Sequence, residues 1–395
     1  MKEYDVIIVG GGPVGGFIAG RLAEKKYSVA VFEKNKEIGI PMNCAGLVTP
    51  RVFNLLNLSK KNIVQNEIKG ANVHSPSGKT LTIGGDRIHA FAIDRTNFDK
   101  EIMNFSCEKG AYLYLSNKVE TIKKNDNLIE IKTSKNVFAR CKILIGADGP
   151  NSLIRNSYAF PEPKEFLYGI GAEITNSTLD PNYAEIFIGN NVAPGFFAWI
   201  IPTNREGTTA RVGLCISSKT NKSPIFYFDK FLNSTYSRSF IKNSAIFKKI
   251  GGIIPLGFLK KIYDSNVMIV GDAAAQVKPT SGGGIYLGLL CAINCSNVAI
   301  QALKNNDFSA LMLKKYQKLC TREIGNELYF GMKLRTIFKN LTDKRLDKFI
   351  DRFDDPKIIE VINKFGDIDY PSKLAKQLIK KSPTLLKLIP KLIKK

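Results

Sequence analysis

Between the apolar run Asp5 to Val9 and a stretch of helical character ending near Lys25 lies Gly10-Gly11-Gly12-Pro13-Val14-Gly15, and Glu33 closes the next apolar run. Glycines at 10, 12 and 15 allow a tight turn and a close backbone approach to a bulky anion, with Val14 carried on the same turn. The unpaired N–H groups and the dipole at the start of the helix favour negative charge there, which suits a pyrophosphate. Glu33, at about twenty residues' distance, is spaced to accept hydrogen bonds from ribose hydroxyls. In its strand-turn-helix-strand frame this is a dinucleotide fingerprint.

Two further turns narrow the cofactor to FAD. Ala147-Asp148-Gly149-Pro150 and Gly271-Asp272-Ala273-Ala274 each follow an apolar strand. Asp272 can accept a hydrogen bond from a flavin ribityl chain, and the small residues after it let the backbone crowd the cofactor. Pro279-Thr280-Ser281-Gly282-Gly283-Gly284-Ile285 then opens a helix. Its free amides, at Gly284 and Ile285, are placed for the pyrimidine edge of a flavin, where they would stabilise the charge of the reduced ring.

The elements that must hold these turns are legible in outline. Strands are expected at Asp5 to Val9, Ser28 to Glu33, Cys141 to Gly146 and Val267 to Val270. Lys118 to Ile131 reads as a hairpin around Asn125-Asp126-Asn127, and Thr96 to Cys107 as a helix. Alternating segments at Ala184 to Ile188, Gly195 to Ile201 and Ala210 to Ile216 suggest an antiparallel sheet. The fold class is therefore α/β: a Rossmann-like FAD-binding domain interwoven with an antiparallel β-sheet substrate domain, and a helical C-terminal extension. The expected boundaries are 1–69, 94–163 and 263–304 for the FAD-binding domain, 70–93 and 164–262 for the substrate domain, and 305–395 for the helical region.

With Asp94-Arg95-Thr96-Asn97-Phe98-Asp99 between them, these motifs resemble the para-hydroxybenzoate-hydroxylase superfamily of flavoproteins over about residues 1 to 300. That resemblance implies that Arg95 lies beside the FAD and that the backbone at Val119 touches the adenine. Pro41-Met42-Asn43-Cys44-Ala45-Gly46-Leu47-Val48 is similar to the segment of archaeal geranylgeranyl reductases in which a cysteine and a glycine lie against the flavin. Cys44, Ala45 and Leu47 are by that resemblance cofactor contacts, and Cys44 is the residue nearest the chemistry. Phe197-Ala198-Trp199-Ile200-Ile201-Pro202 resembles the Y-x-W-x-F-P motif of the same reductases, with Phe197 replacing Tyr and Ile201 replacing Phe. Phe197, Trp199 and Pro202 become substrate contacts, Trp199 as a flat wall of an apolar slot for an isoprenoid chain.

The resemblance implies a reductase that adds a hydride equivalent and a proton to C=C bonds of geranylgeranyl chains in digeranylgeranylglycerophospholipids. Ferredoxin, a deazaflavin or NAD(P)H is the expected electron donor. Two other readings stay open. A monooxygenase or halogenase shares the fold, and Trp199-Ile200-Ile201-Pro202 also fits the end of the halogenase W-x-W-x-I-P motif. A non-catalytic flavoprotein that binds lipid or carries electrons is the other.

Composition bounds the setting. At 395 residues the chain can bury a large core, and no run of about 18 apolar residues is evident. The N-terminus leads directly into a strand without the sections of a signal peptide, so a cytoplasmic, peripherally membrane-associated protein is expected. Seven scattered cysteines and two histidines show no metal-ligand spacing, and no metal is expected. The formal charge of +23 would concentrate anionic partners. A lipid surface is expected rather than nucleic acid, because after Asp369 there is no acidic residue and Pro371 to Lys395 interleaves eight lysines with Leu and Ile. That segment reads as a basic amphipathic helix pair broken at Pro383 and Pro390 and suited to an anionic membrane.

Overall fold

The computed structural model describes residues 1–125 and 127–381. Val6, Ile7 and Ile8 are fully buried because Lys2–Val9 is a central strand, flanked in parallel by Val29–Phe32 and Phe138–Gly146. A strand covered on both faces reads as a continuous apolar run, which is what Val6 to Val9 supplies. Beyond Val29–Phe32 lies Tyr112–Tyr114; beyond Phe138–Gly146 lie Val267–Ile269 and Tyr263–Asp264. Val119–Asn125 and Leu128–Thr133 pair antiparallel and join the sheet through Phe138–Gly146. The turn residue Asp126 of the expected hairpin lies outside the described residues.

Helix Pro13–Glu24 packs against Arg95–Glu108 and Ile285–Asn305. Asp94 starts the second of these by accepting the Asn97 amide at 3.0 Å, the usual device for satisfying a helix's free N–H groups. Ser106 Oγ donates to the Gly16 carbonyl at 2.6 Å, tying the first two helices together.

A second sheet runs in the order Ala245–Leu256, Glu165–Thr175, Thr209–Ser217, Phe197–Pro202, Tyr183–Ile188, Gly70–His74, Thr80–Gly84. Its pairs are antiparallel except that of Tyr183–Ile188 with Gly70–His74. Helices Pro224–Leu232 and Thr235–Ile241 cover one face through Phe228, Phe231 and Ile241. Ala90–Ile93 belongs to neither large sheet: it pairs with Leu47–Val48 and Val64–Ile68 in a three-stranded sheet that brings the loop before Leu47 up to both. The architecture is the α/β fold read from the sequence, a Rossmann-like layer interwoven with a largely antiparallel sheet and followed by helices.

Two expectations are modified. Among the described residues, Ile285–Asn305 is one helix long and apolar enough to cross a membrane, with a mean hydropathy of 1.5, although no such run was evident in the sequence. Its apolarity is spent inside the protein, where Leu287, Leu289, Cys291, Ala292 and Cys295 are buried. The basic tail is helical over Pro371–Lys381, but Leu374 and Leu378 pack on Ile358 and Ile362 while Lys373, Lys376 and Lys380 face out. Leu374 and Leu378 are therefore taken up by the protein, while Ile379 stays 38% exposed. The expected breaks at Pro383 and Pro390 lie outside the described residues.

Candidate active site

The glycine turn is built for close approach. A Cβ on Gly15 would stand 2.1 Å from the Gly10 carbonyl oxygen and one on Gly10 2.2 Å from that of Ala147, so neither position accepts a side chain. At Gly12 nothing lies within 4 Å, and the turn faces open space at the start of a helix with Pro13 in its first position. Buried Glu33 accepts the Gly11 amide at 2.7 Å and the Asn35 amide at 2.9 Å, which fixes its carboxylate beside the turn.

A cavity of about 650 Å³ opens from this turn and runs between the two large sheets. Gly12, Val14, Cys44, Ala45, Leu47, Arg95, Asp272, Gly284 and Ile285 line it, together with Phe197 and Trp199. Of the residues singled out in the sequence, Gly10, Gly15, Glu33, Val119 and Pro202 are not on its wall. The first three build the turn behind it. Val119 is buried at the start of its strand, and the Pro202 carbonyl accepts from Asn66 Nδ2 at 3.2 Å at a strand end.

Electrostatics are concentrated at the nucleotide-fold end. Asp272 is half-buried and faces the cavity, and the protein packed around it pushes its carboxyl up to about 6, with Arg95 opposing. Arg95 itself is half-buried and held by Asp99 through Nη2 at 2.9 Å, an i,i+4 ion pair at the start of its helix. Asp148 Oδ1 and Ser281 Oγ are buried polar atoms without a partner, although Asp148 Oδ2 accepts the Ile154 amide at 3.1 Å. Burial raises the Asp148 carboxyl despite that bond. Such orphaned groups are costly unless a ligand satisfies them. Together with the open cradle at Gly12 and the cavity-facing Asp272, they fit a dinucleotide whose pyrophosphate, ribityl hydroxyls and ring edge need acceptors and donors at these points.

Three positioning residues carry no motif. Arg211 is 2% exposed and joins the second sheet to the three-stranded one: Nε meets Glu173 at 3.0 Å, Nη2 meets Gln65 at 2.8 Å, and Nη1 meets the carbonyls of Ile93 at 2.9 Å and Ala45 at 3.2 Å. It pins the Cys44 loop, within which the Gly46 amide donates to Cys44 Sγ at 3.3 Å. The signal available was a lone cation inside the apolar run Ala210 to Ile216. Lys278 lines the cavity and donates to buried Asp369 at 2.7 Å, joining the flavin-type glycine loop to the C-terminal segment. Neither partner shows in the spacing, because the pair is 91 residues apart.

The far wall is apolar. Phe196 and Phe197 stack at 4.3 Å, and Phe197 meets Trp199 edge-on at 6.1 Å. Trp199 lies flat over Gly213 of the neighbouring strand, where a Cβ would come within 2.7 Å of the indole. Glycine there is what lets the ring seat against the sheet. Ile254, Ile186, Ile83, Ile362 and Leu374 extend the surface toward the C-terminal helices. A slot of this kind suits a long hydrocarbon.

A Rossmann-like layer with a glycine cradle, a cavity-facing acceptor at Asp272 and an apolar chamber against the companion sheet define an oxidoreductase of the flavoprotein class. Residues 5–365 match the family model described as Lycopene cyclase protein. A curated relative from Methanocaldococcus jannaschii, digeranylgeranylglycerophospholipid reductase, is 31% identical over 97% of each chain. The chain belongs to this reductase family within the wider Lycopene cyclase protein family. In fold it matches a geranylgeranyl bacteriochlorophyll reductase-like protein of Thermoplasma acidophilum, with a TM-score of 0.85, 23% identity and all of both chains covered. It also shares its fold with p-nitrophenol 4-monooxygenase of Pseudomonas putida, with a TM-score of 0.72, 16% identity, and 92% and 97% of the two chains covered.

Proposed function

We propose that this protein is an FAD-dependent reductase that saturates C=C bonds of geranylgeranyl chains in digeranylgeranylglycerophospholipids. The observation that carries the reading is a cavity whose one end is a dinucleotide cradle and whose other end is a largely apolar slot. A membrane phospholipid is also the class that the curated relative's name specifies.

FAD, when bound, supplies the hydride equivalent. Gly12, Val14 and the helix start behind them would hold the pyrophosphate, Glu33 the adenosine ribose, and Asp272 the ribityl hydroxyls. Arg95, Ala45, Leu47 and the amides of Gly284 and Ile285 would bound the ring, and the backbone at Val119, though off the cavity wall, is the proposed adenine contact. The positive ends of those amides and the Lys278 ammonium favour negative charge on that side. An isolated alkene that is protonated at one carbon as hydride reaches the other passes through a transition state resembling a tertiary cation, which the faces of Phe197 and Trp199 can stabilise. The apolar wall keeps water from that cation. Cys44, held by its loop on the cavity wall, is the proposed catalytic residue and supplies a weak S–H donor there. Pro202 ends the strand that carries the aromatic wall.

The outward lysines at 373, 376 and 380 support an anionic membrane surface as a partner. Ferredoxin, a deazaflavin or NAD(P)H would donate electrons. Anaerobic mixing of photoreduced holoprotein with a prenylated phospholipid tests the reading: lipid-dependent reoxidation of the flavin is expected. No reoxidation would count against the reductase reading, and a parallel aerobic assay then separates an oxygenase, which consumes O2 with the lipid, from a carrier, which does not.

A further inference from the structure

A second, smaller cavity of about 200 Å³ adjoins the apolar one, and the two share His89, Gly366, Asp367 and Ile368 as common wall. Its other lining is of a different character: Thr49, Arg51, Asn54 and Arg87 bring polar or cationic groups where the large chamber offers isoleucines and aromatics. Such a side chamber is too small for a second prenyl chain and too polar to attract one.

The charges in it are unequal in their commitments. Arg51 forks onto Asp367 with two contacts of 2.8 Å and reaches Asp369 at 3.1 Å, so its donors are engaged. Arg87 donates to the Gly366 carbonyl at 2.9 Å and lies 3.4 Å from His89 Nδ1, but no carboxylate pairs with it among the described residues. Two arginines against Asp367 leave the wall net positive. Burial pushes the His89 imidazole down, Arg87 adds to that and Asp367 opposes it. An uncompensated guanidinium beside an imidazole, at the end of an apolar slot, is a recognition surface for a phosphoryl oxygen.

A prenylated lipid has the complementary shape. Its hydrocarbon belongs in the slot, and its phosphate must find donors where the slot ends, or lose its solvation without compensation. We infer that the side chamber binds the phosphoryl group of the prenylated substrate, with Arg87 supplying the unpaired charge and His89 a hydrogen-bond donor, and that this contact sets which end of the chain reaches the cradle. The inference rests on the reductase reading. The shared chemistry is a phosphoryl group, whether the phosphodiester of a lipid headgroup or the diphosphate of a free prenyl chain.

The test compares reduced holoprotein and its Arg87→Gln variant on three compounds that carry the same chain: a geranylgeranyl glycerophospholipid, geranylgeranyl diphosphate and geranylgeraniol. The expected result is a fall in kcat/KM for a phosphorylated compound, relative to the alcohol, of roughly tenfold to a hundredfold, the range for losing a charge-assisted hydrogen bond. The effect should lie in KM and be partly restored by Arg87→Lys. The compound that shows it identifies the source of the phosphoryl group. With the phosphodiester, which does not titrate near neutrality, KM should also rise as pH increases and His89 loses its proton, and His89→Asn should flatten that profile. Equal loss on all three compounds, or no loss on any, overturns the inference. Failure of the unmodified protein to reduce even the alcohol would instead count against the reductase reading.

Discussion

Replacing Asp369 by Asn removes one charge and almost no volume, and so isolates the ion pair that closes the C-terminal segment onto the cavity. Asp369 is fully buried and holds Lys278 at 2.7 Å, Thr49 at 2.6 Å and Arg51 at 3.1 Å. Arg51 keeps its fork to Asp367 after the change. Lys278, only 9% exposed, has no second carboxylate among the described residues. Removing one partner of a buried pair costs about 3–5 kcal/mol because the remaining charge is left uncompensated in a poorly solvated site. Lys278 and Thr49 bind different carboxylate oxygens, so the amide oxygen can still accept from Lys278 while its NH2 donates to the Thr49 hydroxyl, which places the expected loss at the lower end, about 3 kcal/mol. Urea unfolding followed by the fluorescence of Trp199, the one tryptophan in the chain, measures it at the cavity wall. The double variant Lys278→Met with Asp369→Leu should recover most of the loss, since apolar replacement of a buried pair is often neutral. A single variant within about 0.5 kcal/mol of the parent, the scale of an ordinary surface change, would refute the reasoning. So would a double variant as unstable as the single.

Gly15→Val should abolish flavin uptake, because its Cβ would stand 2.1 Å from the Gly10 carbonyl; visible absorbance of the purified protein reads this directly. In the cofactor-free protein, Asp272 with its carboxyl at about 6 binds a proton that the unfolded chain has already lost. Its cost is therefore absent below about pH 4 and complete above about pH 6, and on the order of 3 kcal/mol of stability falls away across that window. Asp272→Asn should flatten the slope in a pH series of unfolding curves. Arg211→Met should cost about 3 kcal/mol by leaving Glu173 with only Lys248, at 3.8 Å, and by freeing the Cys44 loop, and should weaken FAD binding in a fluorescence titration.

What was legible in the sequence follows from range. The glycine cradle, Glu33 and the strand before them lie within a short span whose residue types are dictated by backbone geometry, so pattern and structure coincide. Asp272 and the glycines before Ile285 were legible for the same reason. Arg211, Lys278 with Asp369, and Arg87 with His89 were not, because each gains its role from partners brought in by folding: Arg211 reaches Ile93 across 118 residues. Trp199 could be singled out as an aromatic wall, but its seat on Gly213 depends on sheet register. Ala245–Leu256 escaped notice as a strand because it is an edge, exposed over Ala245 to Lys249 and interrupted by Gly251 and Gly252, so neither alternation nor a continuous apolar run marks it. Ile285–Asn305 shows the converse: its polar residues broke the apolar run in the sequence, yet its mean hydropathy passes for that of a membrane span until its neighbours are seen.

The decisive measurement is the mass of a digeranylgeranylglycerophospholipid after anaerobic incubation with dithionite-reduced, FAD-loaded protein. A cradle that opens onto a largely apolar slot should yield products heavier in steps of about two daltons, one hydride and one proton per saturated bond. Lipid of unchanged mass beside a protein that binds FAD, or a product that gains oxygen once air is admitted, would contradict it.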